Sequence, residues 1–140
     1  GTLEGGEAAL LEAVFKFGDT RVREIMTPRT EIVSIPEGTT LSQFLKVYSK
    51  NTHTRFPVFK DTEEEIIGLI SAKDILRKMA ESGIDAKDPI TREIREVYFV
   101  PETKMIAAMF DEMRLSGNQM AVVVDEHGGL SGLITLRRIS

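Results

Sequence analysis

Cysteine is absent from the 140 residues. That excludes disulfides, a thiolate metal site and a cysteine nucleophile, and it fits a reducing compartment. Histidine is scarce: His53 and His127 stand 74 positions apart in polar stretches. No His, Cys or carboxylate cluster at ligand spacing accompanies either one, so both are read as surface residues and no metal site is expected. No apolar run reaches the roughly 18 residues that cross a bilayer, and no signal-peptide pattern is visible. Positive charge is not in excess. The net charge is −4, which gives no electrostatic case for nucleic acid or an anionic membrane. Catalytic signatures are missing as well. There is no Gly-x-Ser-x-Gly, no Walker loop and no Cys/His pair, so the chain is not expected to be an enzyme.

What is present is ordinary for a soluble globule, at 41% hydrophobic and 29% charged residues. The informative feature is a repeat. Pro57-Val58-Phe59-Lys60-Asp61 leads through an acidic run to Ile67-Gly68-Leu69-Ile70-Ser71 and on to Ile75. Adding 64 gives Ala121-Val122-Val123-Val124-Asp125, then Ser131-Gly132-Leu133-Ile134-Thr135 and Ile139. A fixed offset with turn residues in register marks one supersecondary unit used twice. Units of about 60 residues are marginal alone, so the two are expected to share a core.

Each copy reads as strand, turn, strand, helix start. Residues 56–59 are short, apolar and β-prone, with Pro57 near the strand start where a missing N–H is tolerated. Residues 66–70 form a second run with Gly68 inside it, and glycine in a strand signals close approach by another backbone or a ligand. Ser71-Ala72-Lys73-Asp74 fits a capping box. It opens a helix expected to run to about Ser82, with Gly83 as its stop. Upstream, Thr27-Pro28-Arg29 reads as a turn, residues 32–35 as a strand and Thr40-Leu41-Ser42-Gln43 as another capping box. Leu41, Phe44, Leu45 and Tyr48 make one helix face. At offset 65 the pattern recurs: a strand over 97–100, Pro101-Glu102, and a helix capped by Thr103 with Ile106, Met109, Phe110 and Met113 on its face. Those methionines read as core filler. Residues 7–17 make a helix candidate, packed on the domain or a twin chain, or else a connector to something upstream. The order is therefore β-α-β-β-α, twice. The chain divides into a tail and connector helix (1–21), repeat one (22–82), a linker (83–93) and repeat two (94–140), whose last helix is cut short. Both ends stop abruptly, as in a piece of a larger protein.

This order, with its Gly-Leu-Ile-Ser and Gly-Leu-Ile-Thr strands, resembles the paired CBS domain, or Bateman module, over about residues 22–140. Ile25-Met26-Thr27-Pro28-Arg29, Thr54-Arg55-Phe56-Pro57-Val58 and the Val-Val-Val-Asp-Glu-His-Gly-Gly run ending at Gly129 narrow the likeness. They resemble the CBS pair of the CorC / hemolysin-C-like magnesium and cobalt efflux proteins. The resemblance implies an α/β fold (α+β), with two repeats packed through their sheets about a pseudo-twofold axis. It also implies a homodimer on the cytoplasmic side of the bacterial inner membrane. A membrane domain would precede the pair and a CorC/HlyC-type domain would follow it, with no nucleic-acid partner.

The function implied is regulation by an adenosine nucleotide (AMP, ADP or ATP), with or without magnesium, held between the repeats. Ser71 and Asp74 would hold ribose, backbone around Phe56, Pro57, Gly68 and Ile70 would hold adenine, and Arg55 and Arg29 would meet phosphate. Thr135 starts the second ribose half-site, but Arg138 stands where the family has its acid. Binding is therefore expected at Asp74 and expected to be weak, because Arg55 should serve the Thr135 side. Each residue also has a plainer reading. Ser71 and Asp74 could serve as a cap alone, since an acid in a first turn is favourable by roughly 0.3–1 kcal/mol. Arg29 and Arg55 could be solvated surface residues. Asp61 with Glu63, Glu64 and Glu65 reads as a hairpin tip rather than a cation site. The competing function is a structural dimerisation module with vestigial clefts.

Overall fold

A computed structural model describes residues 19–51 and 53–136. The helix expected over 7–17 lies outside those residues, as does Arg138. The described elements are, in chain order, β1 (Thr27–Pro28), β2 (Ile35–Pro36), α1 (Leu41–Lys50), β3 (Arg55–Phe59), β4 (Ile66–Ser71), α2 (Ala72–Glu81), β5 (Tyr98–Pro101), α3 (Ile106–Ser116), β6 (Met120–Val124) and β7 (Leu130–Thr135). The fold is mixed α/β, as the repeat pattern implied. The residues sort into two compact units. One is Glu31–Val97 with Gly128–Leu130, and the other joins residues 19–30 to Tyr98–His127 and 131–136.

The 31–97 unit has a sheet in the order β2-β3-β4, with β2 parallel to β3 and β3 antiparallel to β4. The β3–β4 hairpin pairs Arg55 with Ser71, Phe56 with Ile70 and Val58 with Gly68. Its acidic tip, Asp61 to Glu65, is exposed throughout, as a solvated turn requires. Alternation along β3 sends Phe56 and Val58 into a core with Ile35, Leu41, Phe44, Ile70 and Ile75. Phe44 stands edge-on to Phe56 at 5.3 Å and stacks on Tyr48 at 5.9 Å. Pairs of this kind add about 0.5–1.5 kcal/mol beyond burial.

Thr40 forms the expected capping box. Its Oγ1 accepts from Gln43 N at 3.2 Å, and its own N–H donates to Gln43 Oε1 at 3.0 Å. The next two helix amides, Leu41 N and Ser42 N, donate to Asp88 O and Ala86 O, so the 83–93 stretch is tied to this unit. Ile90, 1% exposed, seals the stretch into the core. Thr40→Ala is expected to lower stability by about 1 kcal/mol. The urea midpoint should fall while the slope stays unchanged, and an unmoved midpoint would show that the cap contributes nothing.

The other unit has a sheet in the order β1-β7-β6-β5, with β5 parallel to β6. Thr27-Pro28 is here a short strand, not only a turn, pairing antiparallel with Leu133 and Gly132 of β7. Pro28 is compatible because the strand lies at the sheet edge, where a missing donor is tolerated. Met109 and Met113 are fully buried with Val22, Val100, Ala121 and Val123, as core filler should be. The expected Thr103 cap does not form. Helix α3 begins three residues later, and its N-cap residue is Met105, which makes no side-chain cap bond. Met105 stands where Thr40 stands at offset 65, and its thioether is at best a weak acceptor for the amide that a hydroxyl would cap. Gly117, at φ +76, ends the helix in the left-handed conformation that glycine adopts most readily.

Candidate functional site

The site grows from the junction of β4 and α2. Ser71 is the N-cap residue in extended conformation, but its hydroxyl makes no cap bond. The second box residue, Asp74, sits in the first helical turn and turns to Arg95. Arg95 Nε donates to Asp74 Oδ2 at 2.6 Å, and Nη2 donates to Oδ1 at 2.7 Å. Two parallel charge-assisted bonds of this length are the strong form of an Arg–carboxylate pair. The capping box read at 71–74 is therefore corrected, because both carboxylate oxygens answer a guanidinium 21 positions away. Asp74 raises the pKa of that guanidinium above its ordinary value, chiefly through the hydrogen bond, then through charge attraction, with slight opposition from burial.

Arg95 reaches Asp74 because its backbone lies along β4. Leu69 N donates to Arg95 O at 3.0 Å, and Arg95 N donates to Leu69 O at 2.8 Å. Gly68 permits this approach. A Cβ there would stand 2.4 Å from Ile94 Cγ1 and 2.9 Å from Arg95 O. Of the two meanings a strand glycine could have, the described residues supply another backbone. The same device recurs at Gly132 in the other unit, where a Cβ would stand 2.4 Å from Thr27 O. Thr27 pairs with Leu133 as Arg95 pairs with Leu69, so Thr27 holds the position that Arg95 holds in the first unit.

Within the 31–97 unit the structure brings together Arg55, Phe56, Pro57, Gly68, Ile70, Ser71 and Asp74 on one hairpin and the turn of helix that follows. Their exposures differ. Phe56 and Ile70 are 0% exposed, so in this structure neither presents side chain or backbone to a ligand. Pro57 and Gly68 are buried too, while Arg55 is half-buried at the start of β3, opposite Ser71. Arg29 and Thr135 belong to the other unit. Arg29 is exposed in the turn of 3-10 helix after β1, and Thr135 is exposed at the end of β7.

Beside Asp74 lies a cleft of about 450 Å³. Arg77, Lys78, Arg92 and Arg95 face it, together with Asp74, Glu81 and Glu93, so four cations meet three acids. The sequence reading missed all four cations. Arg77 and Lys78 were within reach of it, since they follow Asp74 at i+3 and i+4 on one helix face. Nothing in the local pattern points to Arg92 or Arg95. Among the described residues, no group of three or more His, Asp or Glu side chains is placed to hold a metal ion.

The two units thus repeat one device, a strand glycine that admits a second backbone alongside. The sequence pattern of the CBS domain matches residues 22–81 and 90–140, and the chain belongs to that family as a tandem pair. It is the CBS pair of a CorC-family protein. It is 38% identical over 130 residues to the magnesium and cobalt efflux protein CorC of Escherichia coli K12, covering 93% of this chain and 44% of that one. It is similar to the CBS domain of a bacterial CNNM/CorC family Mg2+ transporter, at TM-score 0.81 and 34% identity, covering 96% of this chain and 81% of that one. The same domain in complex with ATP gives TM-score 0.80 and 35% identity, covering 93% and 91%. The chain spans less than half the length of the curated relatives it matches.

Proposed function

We propose that this chain is the regulatory module of a magnesium or cobalt efflux protein. It binds an adenosine nucleotide at Asp74 and passes the binding to a membrane domain elsewhere in the full-length protein. The observation that carries this reading is the placement of one carboxylate, 13% exposed, at the edge of a cleft with four basic side chains. Ribose hydroxyls can donate to such a carboxylate, and the phosphates can meet the cations. Magnesium, where present, would arrive with the nucleotide. No helix among the described residues is long and apolar enough to cross a membrane. The pair is read as working on the cytoplasmic side of the inner membrane, as a homodimer. Binding would stabilise the conformation that holds nucleotide, by an amount set by concentration over Kd.

Calorimetry with ATP, ADP, AMP and MgATP is the test. The expected result is saturable binding of at least one of them to the folded chain. One observation favours a second reading, a structural dimerisation module: Asp74 already has both oxygens engaged by Arg95. Absence of heat with every nucleotide, on a chain whose circular dichroism is that of a folded protein, would decide for it. Turnover of a nucleotide panel would revive an enzymatic role.

A further inference from the structure

We infer that Arg95 is a latch on the nucleotide site, closing Asp74 to uncharged nucleosides and yielding it to polyphosphates. The inference rests on the reading of Asp74 as the ribose acceptor. The geometry has three parts. Arg95 engages both carboxylate oxygens, so a ribose must compete with a bidentate partner. The exposures are unequal, 61% for the Arg95 side chain against 13% for Asp74, which places the guanidinium on the solvent side of the carboxylate. The Arg95 backbone is held to Leu69 by two hydrogen bonds, so releasing Asp74 requires only side-chain rotation.

Release costs about 1 kcal/mol, the upper end for a solvent-exposed pair, because the fork geometry is good but the guanidinium is 61% exposed and regains its hydration. What the guanidinium gains on release depends on the ligand. A nucleoside offers it no anion, and the bond to Asp74 is lost without replacement. A di- or triphosphate offers several oxygens and more than one charge, in a cleft where Arg77, Lys78 and Arg92 already stand. The pair thus discriminates by penalising the wrong ligand rather than by adding contacts for the right one.

Titration of wild type, Arg95→Ala, Arg95→Lys and Asp74→Ala with adenosine and with ATP tests the latch. Arg95→Ala should bind adenosine about 3–5-fold more tightly than wild type and ATP roughly 5–30-fold more weakly. Arg95→Lys keeps the charge without the fork and should fall between them. Adenosine binding to Arg95→Ala no more tightly than to wild type would overturn the proposal, as would ATP affinity unchanged by that substitution. The underlying reading fails separately. If Asp74→Ala leaves both ligands unaffected, ribose is held elsewhere and the latch falls with it. If Asp74→Ala weakens binding while Arg95→Ala frees no adenosine, the site stands and only the latch is lost. Should neither ligand bind wild type or Arg95→Ala, the latch is refuted. Arg95 is exposed and its contribution to the sheet is backbone, so Arg95→Ala should still melt cooperatively, with a loss no larger than the ion pair's contribution of about 1 kcal/mol.

Discussion

Gly132→Ala is expected to destabilise the chain by about 1–3 kcal/mol, the usual range for forcing an atom into a filled space. The added Cβ would lie 2.4 Å from Thr27 O and 2.7 Å from Met26 Sδ. The sulfur can move, but the carbonyl oxygen cannot without pulling β1 from its pairing with Leu133 and Gly132. Gly68→Ala should cost less. Its backbone contact, 2.9 Å from Arg95 O, is looser than that of Gly132 with Thr27 O, although Ile94 Cγ1 and Cδ1, at 2.4 and 2.6 Å, must shift as well. Urea unfolding of both variants checks the order. Equal midpoints for Gly132→Ala and wild type would mean that residues 26–28 do not lie along β7. Gly68→Ala carries a second expectation. By displacing residues 94–95 it should loosen Arg95 from Asp74, and so shift nucleoside binding in the same direction as Arg95→Ala.

Asp74→Ala is expected to lower nucleotide affinity by about 1.5–3 kcal/mol, the usual range for a hydrogen bond to a charged group. The carboxylate is the acceptor of the proposed site, and alanine leaves both ribose hydroxyls without it. Folding stability should change little. The guanidinium released is 61% exposed and keeps its hydration, and a partly exposed pair contributes at most about 1 kcal/mol. Loss of binding without loss of stability separates a ligand group from a structural one. Thr135→Val is the matched control from the other repeat. If Asp74→Ala binds ATP as wild type does while Thr135→Val does not, the Thr135 half-site carries the nucleotide.

Much of this was legible without coordinates, and the reason is local. The short apolar, β-prone runs at 56–59 and 66–70 become β3 and β4, because such runs bounded by turn residues are buried most readily as paired strands. Of the Leu41, Phe44, Leu45 and Tyr48 face, Leu41 and Phe44 are buried in α1, Tyr48 packs partly buried beside them and Leu45 is exposed, while Thr40 with Gln43 closes the first turn, because partners three residues apart meet in any helix. Copying the pattern at offset 64–65 then forecast the second unit. The copy held at the next helix too, since offset 65 carries the Thr40 cap position to Met105; the Thr103 cap followed the nearest hydroxyl rather than the offset, and it did not form.

By itself, then, the sequence determined the repeat, the alternation of strands and helices, the faces that are buried and the family. Periodicity and short-range hydrogen bonding carry that information within a few residues. Only the tertiary structure decided what lies against Gly68 and Gly132, that Thr27-Pro28 joins β7 more than 100 positions on, and that Asp74 faces Arg95. Those contacts join residues whose spacing has no period, and a pairing of this kind exists only once two distant backbones lie side by side. The charge on the proposed nucleotide site belongs to this second class. Arg92 and Arg95 look like ordinary surface residues until the strand edge places them beside Asp74.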